Sequence, residues 1–242
     1  MPNSTLTAIG RAAIAEAYGT FVLVLIGPGT VVATKLLAGP NSLSAASLGF
    51  IALAHGFALM AVIYSVGHIS GAHINPAVTI ASWATHRLET KRVAPYIIAQ
   101  LVGGTLAGLT LLALWSASTD SLAAAKATFL GNTGPGPAFT DITALLAEVI
   151  GTAILVFTIF GATDKKTDPS TRVLGIGLVL AGTNFALIPI SGASLNPART
   201  WGPTLASAAF SLSPFTTLWI YVLGPIIGGL LGGFLYEVTR QA

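Results

Sequence analysis

The sequence predicts an all-α membrane protein of six transmembrane helices plus two re-entrant half-helices, arranged as an inverted 3+3 repeat. Three observations carry this reading. Of the 242 residues, 53% are hydrophobic and only 8% are charged. A soluble domain carries about 25% charged residues, so most of this surface must face lipid. Six apolar runs approach or exceed the roughly 20 residues that a helix needs to cross a bilayer. Finally, ISGAHINPA at Ile69–Ala77 returns as ISGASLNPA at Ile190–Ala198, an offset of 121 with seven of nine residues identical.

The first run, Ala12–Leu36, follows a start (MPNSTLTAIGR) with no basic region leading into a cleavage site. It is too long for a signal peptide and reads as the first span. The second is Leu43–Val66, within a stretch from Lys35 to Arg87 that has no Asp, Glu, Lys or Arg between those ends. Asn75–Thr85 opens with Asn-Pro after a glycine-containing turn and is too short to cross. Val93–Trp115 is the third span, and the Gly/Pro-rich stretch Gly131–Pro137 belongs to the loop joining the halves. Ile142–Ala162 and Val173–Ile190 flank a polar linker at Thr163–Thr171. Asn196–Ser207 is the second short segment, and Pro214–Val238 is the last span. Helix is the state expected throughout. Backbone groups in lipid must be satisfied within the segment, and the strict alternation of barrel strands is absent.

The repeat extends beyond the nine-residue motif. AEAYGT at Ala15–Thr20 answers AEVIGT at Ala147–Thr152, and QLVGG at Gln100–Gly104 answers PIIGG at Pro225–Gly229. The halves run from about 8 to 116 and from about 141 to 239 within one domain covering 1–242. Three spans per half is an odd number, so the second half enters the membrane from the opposite side. Interrupted segments at matching positions of such repeats point to a functional site near the midplane. The glycine pairs Gly103-Gly104, Gly228-Gly229 and Gly232-Gly233 suit close helix crossings. With six spans, Arg11, Arg87, Lys91, Arg92, Lys165, Lys166, Arg172 and Arg240 fall on one side, and Lys35 and Lys126 on the other. The basic side is cytoplasmic by the usual charge asymmetry, which puts both termini there.

The two Asn-Pro pairs have a physical meaning. Proline suits the first helical position, and asparagine is a favoured N-cap whose oxygen accepts a backbone N–H. Asn75-Pro76 and Asn196-Pro197 therefore each start a short helix and leave an amide donor ahead of it. Inversion aims the two starts at each other. Each helix N-terminus carries about half a positive charge, so the meeting point favours a small acceptor such as a water oxygen and disfavours a cation. The net charge of +3 sits in short clusters between apolar runs and gives no sign of nucleic-acid binding. With no cysteine, there is no disulfide or thiolate metal site. The four histidines lack paired ligand spacing with acids, so no metal, cofactor or enzyme chemistry is expected. A secondary transporter would need coupling-ion ligands or a proton carrier at the midplane, for which candidates are few. A membrane-junction protein would need a blocked pore, of which nothing in the sequence gives a sign.

With GHISGAHINPAVT at Gly67–Thr79 and SGASLNPAR at Ser191–Arg199, the sequence resembles the aquaporins, or major intrinsic proteins, from about Ala12 to Val238. The resemblance implies an aquaporin-like fold with one narrow pore per subunit, usually in a homotetramer. It implies passive passage of water and small neutral solutes across a lipid bilayer, in the cell (inner) membrane. Arg199 then matches the arginine at the outer constriction that repels cations. An ionisable residue inside a membrane segment is a functional candidate on general grounds as well. Glu16 and Glu148, at matching repeat positions, correspond to acids that accept hydrogen bonds from the loops ahead of the half-helices. His73 corresponds to an inner-vestibule residue, with Ser194 in its place in the second repeat. His68 reads as a structural loop residue and His86 as an exposed interfacial one.

Counting from the motifs, the resemblance puts the four outer-filter positions at His55, Asn184, Ala193 and Arg199. Strict water channels of the family usually have Phe and His at the first two. His55, within ALAHGF, is similar to plant tonoplast members, which often pass ammonia, urea or hydrogen peroxide; Asn184 departs from them. Glycerol facilitators usually follow the arginine with Asp and a basic residue four places later. Thr200 and Thr204 stand there instead, so glycerol is the alternative solute rather than the main one.

Overall fold

The computed structural model describes residues 7–39 and 44–240. The chain ends and Leu43, the expected start of the second span, lie outside them. Among the described residues, six helices are long and apolar enough to cross a membrane. They are α1 (Ala8–Ala38), α2 (Ala45–Ser70), α4 (Thr90–Trp115), α6 (Asp141–Ala162), α7 (Pro169–Ser191) and α9 (Leu218–Thr239). The half-helices are α3 (Pro76–Ala84) and α8 (Pro197–Ser207), and a further short helix, α5 (Thr119–Ala127), follows α4.

Local chemistry sets the ends. Thr7 caps α1 by accepting from the Gly10 N–H at 3.0 Å, so the helix starts before Ala12. Asp168 caps α7 with Pro169 at its first position, four residues ahead of the expected Val173. The glycines Gly71 and Gly192 end α2 and α7 in the left-handed conformation, the usual way to stop a helix abruptly. α5 adds a helix to the connection between the halves, of which the sequence marks only the loop at Gly131–Pro137. Its capping box at Ser118 and Ser121 starts it, and Ala124 and Ala125 bury against Val32 and Leu111.

The halves pack alike. α1 lies against α2 and α4, and α6 lies against α7 and α9, while α2 meets α7 between the halves. The half-helices cross over: α3 packs on α9 and α8 on α4. Glycine permits this crossing. A Cβ on Gly104 would strike the Ala198 carbonyl, and one on Gly229 would reach the Ala77 carbonyl. Leu23, Leu59, Val62 and Ile74 from the first half join Leu155, Ile176, Leu180 and Leu195 from the second in one central core. Large apolar side chains such as Phe50, Phe57, Leu114, Ile150, Phe234 and Val238 lie exposed on the outside, as a lipid-facing surface requires.

Candidate pore

Asn75 and Asn196 cap their half-helices as the Asn-Pro pattern predicts. Asn75 Oδ1 accepts from the Ala77 N–H at 2.8 Å, and Asn196 Oδ1 from those of Ala198 at 2.9 Å and Arg199 at 3.3 Å. Pro76 and Pro197 occupy the first helical positions. The amides are partly engaged. Asn75 Nδ2 donates to the Leu195 carbonyl at 2.7 Å, and Asn196 Nδ2 donates to the Ile74 carbonyl at 2.9 Å. This reciprocal pair ties the two half-helix starts together. Each amide carries two protons, so one per asparagine remains to donate.

The loops leading into these caps are strained alike. Ala72, Ile74, Ala193 and Leu195 all have φ between 44° and 54°, which costs non-glycine residues roughly 1 kcal/mol or more each. Two buried carboxylates hold them. Glu16 accepts from the N–H groups of His73 at 2.9 Å and Ile74 at 2.5 Å, and from Gln100 Nε2 at 2.8 Å. Glu148 accepts from the N–H groups of Ser194 at 2.8 Å and Leu195 at 2.7 Å, and from the Ser191 hydroxyl at 2.8 Å. Tyr96 and Tyr221 donate to the last carbonyls of α2 and α7, those of Ser70 and Ser191, at 2.7 and 2.6 Å. With consecutive N–H groups turned to one carboxylate, the loop carbonyls face away from it.

A cavity of about 550 Å³ runs past these features. It begins at Pro169 and Arg172, passes His73, Asn75 and Asn196 between apolar walls that include Leu59, Leu155 and Ile176, and ends at His55 and Arg199. His73 Nδ1 lies 3.2 Å from Thr79 Oγ1, which donates to the Asn75 carbonyl and accepts from Gln100. Ser194 makes the equivalent contact to Thr200 at 2.6 Å, and Thr200 also meets Thr133 of the joining loop at 2.7 Å.

At the far end, Arg199 Nη1 donates to the Gly131 carbonyl at 3.0 Å, and Nη2 lies 3.3 Å from His55 Nε2. His55 Nδ1 lies 2.8 Å from the Ile51 carbonyl. A carbonyl only accepts and a guanidinium only donates, so Nδ1 carries the proton, Nε2 accepts and the ring is neutral. Asn184 and Ala193 are almost wholly buried and lie outside the lining of the cavity. Among the described residues, the Asn184 amide has no hydrogen-bond partner, and neither has Arg199 Nε.

Charged groups gather near the opposite mouth. Arg87 pairs with Glu237 at 2.6 Å and lies over the Phe160 ring at 4.3 Å. The Lys166 backbone N–H and the Tyr236 hydroxyl hold the Asp164 carboxyl below the usual carboxylate range. His86 is exposed, as expected. His68 is a correction: it sits in the last turn of α2 and lines the cavity mouth, because α2 continues to Ser70 instead of ending at Val66. Among the described residues, no cluster of three His, Asp or Glu side chains could hold a metal ion.

The motif positions therefore converge, but some of their supports were unannounced. Gln100 appeared only as a repeat match opposite Pro225; an amide in a lipid-spanning run is the signal that marks it. The Gly131 carbonyl that holds Arg199 is a backbone group in a loop, for which side-chain patterns give no signal.

Two half-helices meeting end to end beside a cavity, within an inverted six-span repeat, define a channel-forming membrane protein. The model of the major intrinsic protein family matches residues 3–236, and the chain belongs to that family. It is similar to the probable aquaporin AqpM of Archaeoglobus fulgidus, 42% identical over 94% of this chain and 96% of that one. It is also similar to aquaporin Z of Photorhabdus laumondii, 40% identical over 94% and 96%. Among solved structures, the aquaglyceroporin from Plasmodium falciparum matches with a TM-score of 0.84 and 25% identity, covering 96% of each chain. The protein is a multi-pass membrane channel and not an enzyme.

Proposed function

We propose that the chain is one channel domain that passes water together with ammonia, urea or hydrogen peroxide, passes glycerol weakly, and excludes ions and protons. The observation that carries this is the reciprocal tie between Asn75 and Asn196. It fixes two positive helix ends and two free amide protons beside one cavity. That array favours the oxygen of a neutral solute and repels cations. In this reading Glu16 and Glu148 are structural, because each has its oxygens directed at loop N–H groups. Of the four outer-filter positions, His55 and Arg199 line the cavity, while Asn184 and Ala193 are buried outside its lining. The short side chains at 184 and 193 leave the filter wider than a Phe/His pair would.

Stopped-flow measurements on proteoliposomes with water, ammonia, urea and glycerol test this reading. The double change His55→Phe with Asn184→His is expected to keep water flux and abolish that of ammonia and urea. An unmodified protein that already excludes everything but water would sink the wider-filter reading.

We place the channel in the cell membrane, as the homotetramer usual in the family, with both termini cytoplasmic; the eight-to-two distribution of basic residues supports the orientation. Tags at each end are expected to stay shielded in intact cells. Labelling of either tag from outside would reverse the orientation.

A further inference from the structure

We infer that the Gly27-Pro28 pair of α1 is the seat that sets the width of the outer constriction, with Gly27 acting as a specificity-determining residue through His55. This rests on the reading of His55 and Arg199 as that constriction. The His55 ring lies directly against Gly27. A Cβ added there would fall inside contact distance of Nε2 and Cδ2, and 2.9 Å from Cε1. Those atoms form the Nε2 corner of the ring, the corner that meets Arg199. The ring has little freedom to withdraw. Nδ1 is bonded to the Ile51 carbonyl of its own helix and Nε2 to Arg199, and the side chain is buried. A methyl group at 27 must therefore push the ring off its seat and break one of these bonds.

The next residue seats the other side of the constriction. Gly131, at φ +75°, lies so close to α1 that a Cβ on it would strike the backbone of Pro28. The Gly131 carbonyl is the group that holds Arg199 Nη1. One short stretch of α1 thus backs the histidine directly and the arginine through the loop. The first half of the chain thereby positions a filter whose arginine belongs to the second.

The test compares water and urea flux in proteoliposomes for Gly27→Ala, Gly29→Ala, His55→Ala and the double variant Gly27→Ala/His55→Ala. Gly27→Ala is expected to lower urea flux by about tenfold, the effect of roughly one lost hydrogen bond on a barrier, with a smaller fall for water. Gly29→Ala is the control. Its Cβ would meet only the end of the Leu111 side chain, at 3.1 Å, so both fluxes should persist. Removing the ring should remove the conflict, so the double variant should behave like His55→Ala alone. Unchanged flux in Gly27→Ala, or a loss that persists in the double variant, would overturn the proposal. If His55→Ala alone leaves the solute range untouched, the constriction reading is what fails. Thermal unfolding midpoints of the same four proteins and the unmodified one then judge the seat: Gly27→Ala should destabilise only while His55 is present, and independent effects would overturn it.

Discussion

Arg199→Val is expected to keep water flux substantial and to admit cations or protons that the unmodified channel excludes. The arginine is buried and held at fixed geometry by the Gly131 carbonyl and His55. A monovalent cation about 4 Å from a fixed like charge is repelled by about 4 kcal/mol at an effective dielectric constant of about 20, roughly a thousandfold in occupancy. Valine removes that charge, and it also removes the donor that holds His55 Nε2, so the ring becomes free to bind a passing solute. The measurement is paired: osmotic water flux, and cation or proton conductance, in the same liposomes. Unchanged ion exclusion would mean that the two helix ends at Asn75 and Asn196 suffice as the barrier.

Glu148→Leu is expected to lose the folded channel. Three buried donors converge on this carboxylate: the N–H groups of Ser194 and Leu195 and the Ser191 hydroxyl. Leaving each without an acceptor costs about 1–3 kcal/mol, and the loop they hold already carries two positive φ angles, at Ala193 and Leu195. The sum is comparable to the roughly 5–15 kcal/mol that keeps a typical protein folded. Glu148→Gln keeps the shape and one acceptor oxygen but turns a donor toward a donor, so it should fall between the two. Unfolding midpoints in detergent, with water flux per folded molecule, report the order. Equal stability of Glu148→Leu and the unmodified protein would show that the carboxylate is not what fixes the loop.

Most of this architecture could be read from the sequence because lipid allows few alternatives. A charge-poor run of sufficient length must be a helix, and two Asn-Pro pairs in matched repeats must start two more. The two carboxylates could be located because each stood alone within its apolar run at matching repeat positions. What escaped were features whose stability is tertiary. A nine-residue helix such as α5 is marginal alone and exists because Ala124 and Ala125 bury against α1 and α4. Gln100 escaped because its partner in the repeat is a proline, which cannot reproduce its bonds to Glu16 and Thr79. The two halves resemble each other in shape while differing in the hydrogen bonds that stabilise them. Asn184 was legible as a position, but its burial outside the cavity lining depends on packing that no motif records.

The crossover of the half-helices bears on how the protein is made. α3 docks on α9, about 140 residues downstream. At a synthesis rate of about 5–20 residues per second, its docking partner emerges on the order of 10 s later. Over that interval α3 is a nine-residue apolar stub too short to span the bilayer and without its permanent neighbour. The first three spans can insert as they emerge, but they cannot finish assembling. A chain stopped before Leu218 would lack the surface on which α3 rests, even though every residue of the first Asn-Pro-Ala element had been synthesised. Assembly of the first half is therefore complete only once α9 has been made.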